Sequence, residues 1–272
     1  MHRTFMARAA TAACALVLLA GCGGGDDEAT DAGKSSGASS SIKLIKAGEL
    51  TTCTHLPYPP FQSAEGGKVV GFDVDLIDLV AKDIGAKQAI FDTPFENIKT
   101  GAALNAGQCD VAAAGMTITE ERKKNLDFSE PYFDATQALL AKKGSGITSL
   151  DSAKGKKVGS QASTTGEDYV KEHGADPVSF ETSDAELNGL RSGQVDVIVQ
   201  DLPVVNGWLK DPANADFEIV ANLDTGEQYG FAVKKDGNDE LLAKINAALA
   251  KAKSDGTYDT LYTKWIGAKP AS

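Results

Sequence analysis

The chain has 272 residues, and its 38 acidic against 27 basic side chains leave a formal net charge of −11 at pH 7. That length accommodates two modest domains with one core each, and the acidic balance argues against a nucleic-acid partner, which needs a basic face. No pair of its 3 histidines has helical metal spacing, and CxxC, HExxH, G-x-S-x-G and Gly-rich phosphate motifs are all missing; no metal, no cofactor and no catalytic constellation is therefore expected.

Residues 1–21 read as a lipoprotein signal peptide. Arg3 and Arg8 make a positive start, Ala9–Ala20 is apolar but too short to span a bilayer, and Leu19-Ala20-Gly21-Cys22 resembles the bacterial lipobox. Cys22 is the expected lipidation site; cleavage by the general signal peptidase is the alternative. Residues 22–41 are rich in Gly, Ser, Ala and Asp with no aromatic, the composition of a flexible tether. The expected location is the outer face of the cytoplasmic membrane, held by the lipid, in an extracellular or periplasmic space.

Leu50–Thr54 reads as a strand, followed by the proline-stiffened loop His55–Phe61. Phe61 reads as packing, Tyr58 as either packing or a ligand cover, and His55 as either a strand-end residue or a pocket donor. Gly71-Phe72-Asp73 opens a helix running to Ile84, with Leu76, Ile77, Val80 and Ile84 on one face and Gly85 as its stop. Gln88–Phe91 is a strand, Asp92–Phe95 places Phe95 at a helix start, Asn97–Ala106 is a helix ended by Gly107, and Cys109–Ala114 is a strand. This alternation predicts a parallel α/β sheet with ligands at the strand C-terminal ends. Cys53 and Cys109 are an even pair in an oxidising compartment, so a disulfide is expected, with two buried free thiols as the alternative.

Thr117 and Glu120 fit an S/T-x-x-E capping box, and Arg122 follows on the first turns. A helix N-terminus with an arginine suits a carboxylate; a capped helix carrying a solvated arginine fits the same residues.

An internal repeat comes next. Leu104-Asn105-Ala106-Gly107-Gln108-Cys109-Asp110-Val111 matches Leu190-Arg191-Ser192-Gly193-Gln194-Val195-Asp196-Val197 at an offset of 86, which predicts two similar α/β lobes. The second lobe reads as strand Lys157–Gln161, the small-residue turn Ala162–Gly166, helix Glu167–His173, strand Val178–Phe180 and helix Asp184–Arg191. Asp201 stands at the exit of its last strand. The apolar segments Ala135–Ala141 and Tyr229–Val233 read as two hinge crossings, and Asn238–Lys251 and Tyr258–Trp265 as helices packed on the first lobe. Arg122 in one lobe and Asp201 in the other suit the two ends of a zwitterion, with Tyr58 and Phe95 as aromatic walls.

Gly71-Phe72-Asp73-Val74-Asp75-Leu76, the run Gly115 to Arg122 with Asp127-Phe128-Ser129-Glu130-Pro131-Tyr132, and Gly256-Thr257-Tyr258 with Lys264-Trp265 together resemble bacterial extracellular solute-binding protein family 3, the amino-acid receptors of ABC importers. The resemblance implies a two-lobed, type II periplasmic-binding-protein-like α/β fold, each lobe a mostly parallel sheet flanked by helices. It implies lobe 1 at 42–138 plus 230–272 and lobe 2 at 139–229. It further implies a non-enzymatic, monomeric receptor that binds an L-amino acid and delivers it to a permease with an ATPase. Tyr58 and Phe95 then take the wall positions, Gly115, Thr117 and Arg122 the α-carboxylate positions, Thr164 and Thr165 the second-lobe contact, and Asp201 the ammonium. Gln161 stands where some members contact the ligand side chain.

Two departures bear on the ligand. His55 stands where many members have an aspartate, which favours a polar neutral or acidic ligand over a basic one. Ser163 replaces a usual glycine, so a positive φ there carries strain. The alternatives to a transport receptor are a cyclohexadienyl-dehydratase-like enzyme on the same fold and an extracellular amino-acid sensor.

Overall fold

The computed structural model describes residues 42–268. The expected signal peptide, tether and Cys22 lipidation site lie outside these residues. Among those described, no helix is long and apolar enough to cross a membrane.

The first half runs β1 (Glu49–Thr54), a hairpin of β2 (Ser63–Glu65) and β3 (Lys68–Val70), then α1 (Phe72–Asp83) and β4 (Lys87–Asp92). It continues through α2 (Phe95–Lys99), α3 (Ala102–Asn105), β5 (Val111–Ala112), α4 (Glu120–Lys123) and β6 (Leu126–Phe128). The helix expected over 97–106 is two short helices. Gly101 stands between them at φ 75°, a left-handed turn that interrupts the hydrogen-bond ladder.

The chain then crosses to β7 (Phe133–Lys142), β8 (Val158–Gln161), α5 (Thr165–Glu172), β9 (Val178–Phe180), α6 (Ser183–Ser192), β10 (Val197–Asp201) and α7 (Leu202–Leu209). The long β11 (Phe217–Tyr229) leads back to β12 (Ala232–Lys234), and α8 (Asp239–Ser254) and α9 (Thr257–Trp265) pack on α1.

Two five-stranded sheets result, in the orders β4-β1-β5-β12-β6 and β11-β7-β10-β8-β9. Within them β1 pairs in parallel with β4 and β5, and β8 with β9 and β10. Each half therefore builds its parallel part with the first strand in the middle and the second and third on either side. The repeat read from sequence falls on equivalent places: Gly107 and Gly193 both turn the chain at positive φ, and β5 and β10 follow them.

The crossing strands supply the antiparallel pairings. β7 runs antiparallel to β10 and β11, and β12 antiparallel to β5 and β6. The apolar run 135–141, expected as a bare link, is thus an interior strand of the second sheet, which is why its side chains are mostly buried. The actual crossings are short: residues 129–132 between β6 and β7, and Gly230-Phe231 between β11 and β12.

An aromatic cluster of Phe61, Phe72, Tyr132, Phe133, Tyr229 and Phe231 packs at these crossings, and all are buried. Rings of this size contribute the largest apolar burial per residue, so both crossings are packed into the core. Cys53 and Cys109 are joined by a disulfide with a Cα–Cα distance of 5.5 Å, as expected. It lies in a second apolar cluster with Ile98, Ala112 and Met116 that supports Phe95 from behind.

Candidate ligand-binding site

All ten ligand-binding positions named from the sequence line one cavity, together with Gln62 and Ala114. It lies where the exits of β1, β5, β8 and β10 face one another, the strand ends at which α/β sheets gather ligands.

The loop after β1 brings His55 and Tyr58 to the cavity. Backbone pairing of Tyr58 with Gln62 closes the loop on itself, and its Leu56–Pro57 and Pro59–Pro60 bonds are cis. Phe61 is fully buried in the aromatic cluster, as its packing role required. The Tyr58 hydroxyl reaches the opposite sheet, 2.8 Å from Gln200 Oε1 and also within bonding distance of Asp201 Oδ2. His55 spans the cleft mouth, with Nδ1 3.1 Å from the Thr93 carbonyl and Nε2 3.0 Å from the Glu181 carbonyl. In either neutral tautomer one of the two contacts is a donated hydrogen bond.

Gly115 follows β5 at φ 55°, and a Cβ there would lie 2.9 Å from the Tyr58 ring. Its N–H donates to Asp73 Oδ2 at 2.8 Å, so the amide is already occupied. Asp73 also accepts from the Tyr132 hydroxyl at 2.6 Å, and burial raises its carboxyl to about 7.

Thr117 does not cap a helix. It forms an extended bridge with Tyr229, and Thr119 caps the single turn α4 by accepting from the Arg122 N–H. The bridge holds Thr117 extended three residues ahead of the helix, so its hydroxyl is free to turn into the cleft, where it donates to Glu227 at 2.9 Å.

Arg122 is only 6% exposed, far from the solvated arginine that the alternative reading described. Its Nη1 donates to the Thr117 carbonyl at 2.8 Å, and its Cζ lies 5.2 Å from the Phe95 ring centroid. Burial pushes the guanidinium below its usual range, opposed by the charges of Glu227, Asp168 and Asp201. None of the described ion pairs includes Arg122. A buried cation with no carboxylate in contact is costly, by several kcal/mol in order of magnitude, and a bound anion would relieve that cost.

On the opposite wall, Ser163 adopts φ 68°, the left-handed conformation that its place before Thr164-Thr165 implied. The Thr164 hydroxyl is the cap of α5, accepting from the Glu167 N–H, and it also donates to the Gln161 carbonyl. Thr165 is left to face the cleft, and its hydroxyl donates to Glu227 at 3.0 Å. Asp201 ends β10, 6% exposed, and accepts from Gln137 Nε2 and from the hydroxyls of Tyr58 and Tyr229. Burial, and then the charge of Glu227, raises its carboxyl to about 6.

Gln62, Gln137, Gln200, Glu227 and Tyr229 were not found from sequence. Gln137, Glu227 and Tyr229 lie on β7 and β11, and only the register of those strands brings them to the cleft. Glu227 stands three residues ahead of the second crossing and is one of several acids along β11, so no sequence signal singled it out.

A family model for bacterial extracellular solute-binding proteins, family 3, matches residues 50–268. The chain belongs to this family. As a family 3 solute-binding protein it is 37% identical over 269 residues to the ABC transporter glutamine-binding protein GlnH of Bacillus subtilis (strain 168), covering 94% of this chain and 95% of that one. It is 35% identical over 234 residues to the putative ABC transporter arginine-binding protein 2 of Escherichia coli (strain K12), covering 83% and 94%. Among solved structures it resembles an ancestral arginine-binding protein bound to glutamine, with a TM-score of 0.76 and 46% identity over 82% of this chain and 99% of that one. These likenesses cover both lobes, so the two-lobed fold of family 3 holds for this chain.

Proposed function

We propose that this family 3 protein captures an L-amino acid between its two lobes and delivers it to the permease and ATPase of an ABC importer. In this reading it acts as a monomer held to the outer face of the cytoplasmic membrane through Cys22. The observation that carries it is the pair of opposite charges across one cavity: Arg122, buried without a contacting carboxylate, and Asp201, buried on the opposite sheet. A zwitterion satisfies both ends at once, and the hydrogen bonds it makes there are charge-assisted in a water-poor site. Closure of the lobes is then a population shift toward the state that holds both ends.

For the ligand side chain, the absence of an aspartate at His55 disfavours a base. Among the described residues lining the cavity, Arg122 is the one Lys or Arg, so an acidic side chain meets no second cation. A neutral polar side chain fits best. Calorimetry of the protein with the twenty common amino acids tests the reading: binding of a neutral polar amino acid is expected, and binding of none would overturn it. Turnover of prephenate would instead favour the dehydratase alternative.

A further inference from the structure

Glu227, near the end of β11, accepts hydrogen bonds in the site but has no part in the ligand contacts proposed above. Its Oε2 accepts from the Thr117 hydroxyl at 2.9 Å, from the Thr165 hydroxyl at 3.0 Å and from Gln137 Nε2 at 3.2 Å, and Gln137 Nε2 lies 3.4 Å from Oε1. The three donors come from the loop after β5, from the start of α5 and from β7. Gln137 Nε2 also donates to Asp201, so one amide holds two carboxylates in the cleft. None of the described ion pairs includes Glu227.

We propose that Glu227 is a resident competitor in the ligand site, its carboxylate holding the Thr117 and Thr165 hydroxyls that a ligand carboxylate would otherwise take. The inference rests on the reading that the ligand's α-carboxylate is received beside Thr117, Arg122 and Thr165. A threonine hydroxyl carries one hydrogen and donates to one carboxylate at a time. An entering ligand therefore either displaces Glu227 from both hydroxyls or leaves them and relies on Arg122. In either case the resident negative charge opposes the incoming one. Glu227 thus lowers affinity for a ligand carboxylate that needs these hydroxyls. It also sets a ligand class, because an acidic side chain adds yet another carboxylate to a cleft that already holds Asp201 and Glu227 against Arg122.

The test is Glu227→Gln in the full chain, which keeps the side-chain size and removes the charge. Calorimetry with L-glutamine as the probe should show a dissociation constant lowered by about fivefold or more, a modest like-charge effect. An equal or higher constant overturns the proposal. A double-mutant cycle with Thr165→Val adds a second measure. The threonine hydroxyl should matter less for affinity in the wild type, where Glu227 holds it, than in Glu227→Gln; equal losses in the two backgrounds overturn the proposal. A ligand-free measure separates this inference from the functional reading. Carbon NMR of the Asp201 carboxyl should place its midpoint near 6 in the wild type and lower in Glu227→Gln. An unchanged midpoint overturns the resident charge. If neither protein binds any amino acid, the functional reading fails, and the Asp201 titration alone judges Glu227.

Discussion

Arg122 lies across the face of Phe95, which begins α2, while its Nη1 is fixed by the carbonyl of Thr117. The ring and the carbonyl orient the guanidinium fork before any ligand arrives. Arg122→Ala should weaken amino-acid binding by roughly 2–5 kcal/mol, because a buried ligand carboxylate loses its charged partner. Arg122→Lys should recover little, since an ammonium lacks the planar fork and stacks poorly on the ring. Phe95→Leu keeps an apolar wall but removes the cation–π contact, and should cost about 0.5–2 kcal/mol of affinity. Calorimetry on the three variants checks the order.

Gly115 is required on two counts, its φ of 55° and the closeness of the Tyr58 ring. Gly115→Ala strains the backbone and pushes Tyr58 from its contact with Asp201. A stability loss of about 1–3 kcal/mol is expected, by backbone strain and overpacking together, with weaker ligand binding beside it. Urea unfolding and ligand titration on the same preparation measure both.

The buried acids give opposite pH responses for stability and binding. Asp73 and Asp201 are raised to about 7 and about 6 from 3.8, so between pH 4 and those values the folded state holds protons that the unfolded chain has released. Stability of the ligand-free protein should therefore rise as pH falls from about 8 to 5, by roughly 1–3 kcal/mol. Affinity for an amino acid should fall over the lower part of that window, because protonated Asp201 no longer pairs with an ammonium. Asp73→Asn should flatten the upper part of the stability profile and leave the binding midpoint in place. Denaturant midpoints and binding constants taken across pH test the two signs independently.

The Cys53–Cys109 bridge closes a loop with a sequence separation of 56. Replacing both cysteines with serine should destabilise the fold by about 2–5 kcal/mol, mainly through the freer unfolded chain. Intact mass of unreduced, alkylated protein should show neither thiol modified in the wild type.

How much could be read from residues alone depended on where each stood in the chain. Arg122, Thr165 and Asp201 were legible because they follow apolar strands at turn signals, and strand exits in an α/β sheet face the ligand side. The repeat between 104–111 and 190–197 was legible because glycine stop and buried strand recur in the same order. Thr117 was placed as a cap because the S/T-x-x-E spacing is local, whereas its bridge to Tyr229 joins residues far apart in sequence. Glu227 and Gln137 were invisible for the same reason: alternation along β11 puts many polar residues in a row, and only pairing with β7 decides which one enters the cleft. The family resemblance located the walls of the site, but not the hydrogen bonds that already occupy the amide of Gly115 and the hydroxyl of Thr164.

The ring of His55 touches the backbone just past β4 on one side and just past β9 on the other, equivalent strands of the two halves. Both partners are main-chain carbonyls, so no side-chain replacement at Thr93 or Glu181 deletes either acceptor. The imidazole is consequently a built-in proximity gauge. In nitrogen-15-labelled protein its ring-nitrogen resonances register whether both carbonyls, one from each half, are in reach of the ring.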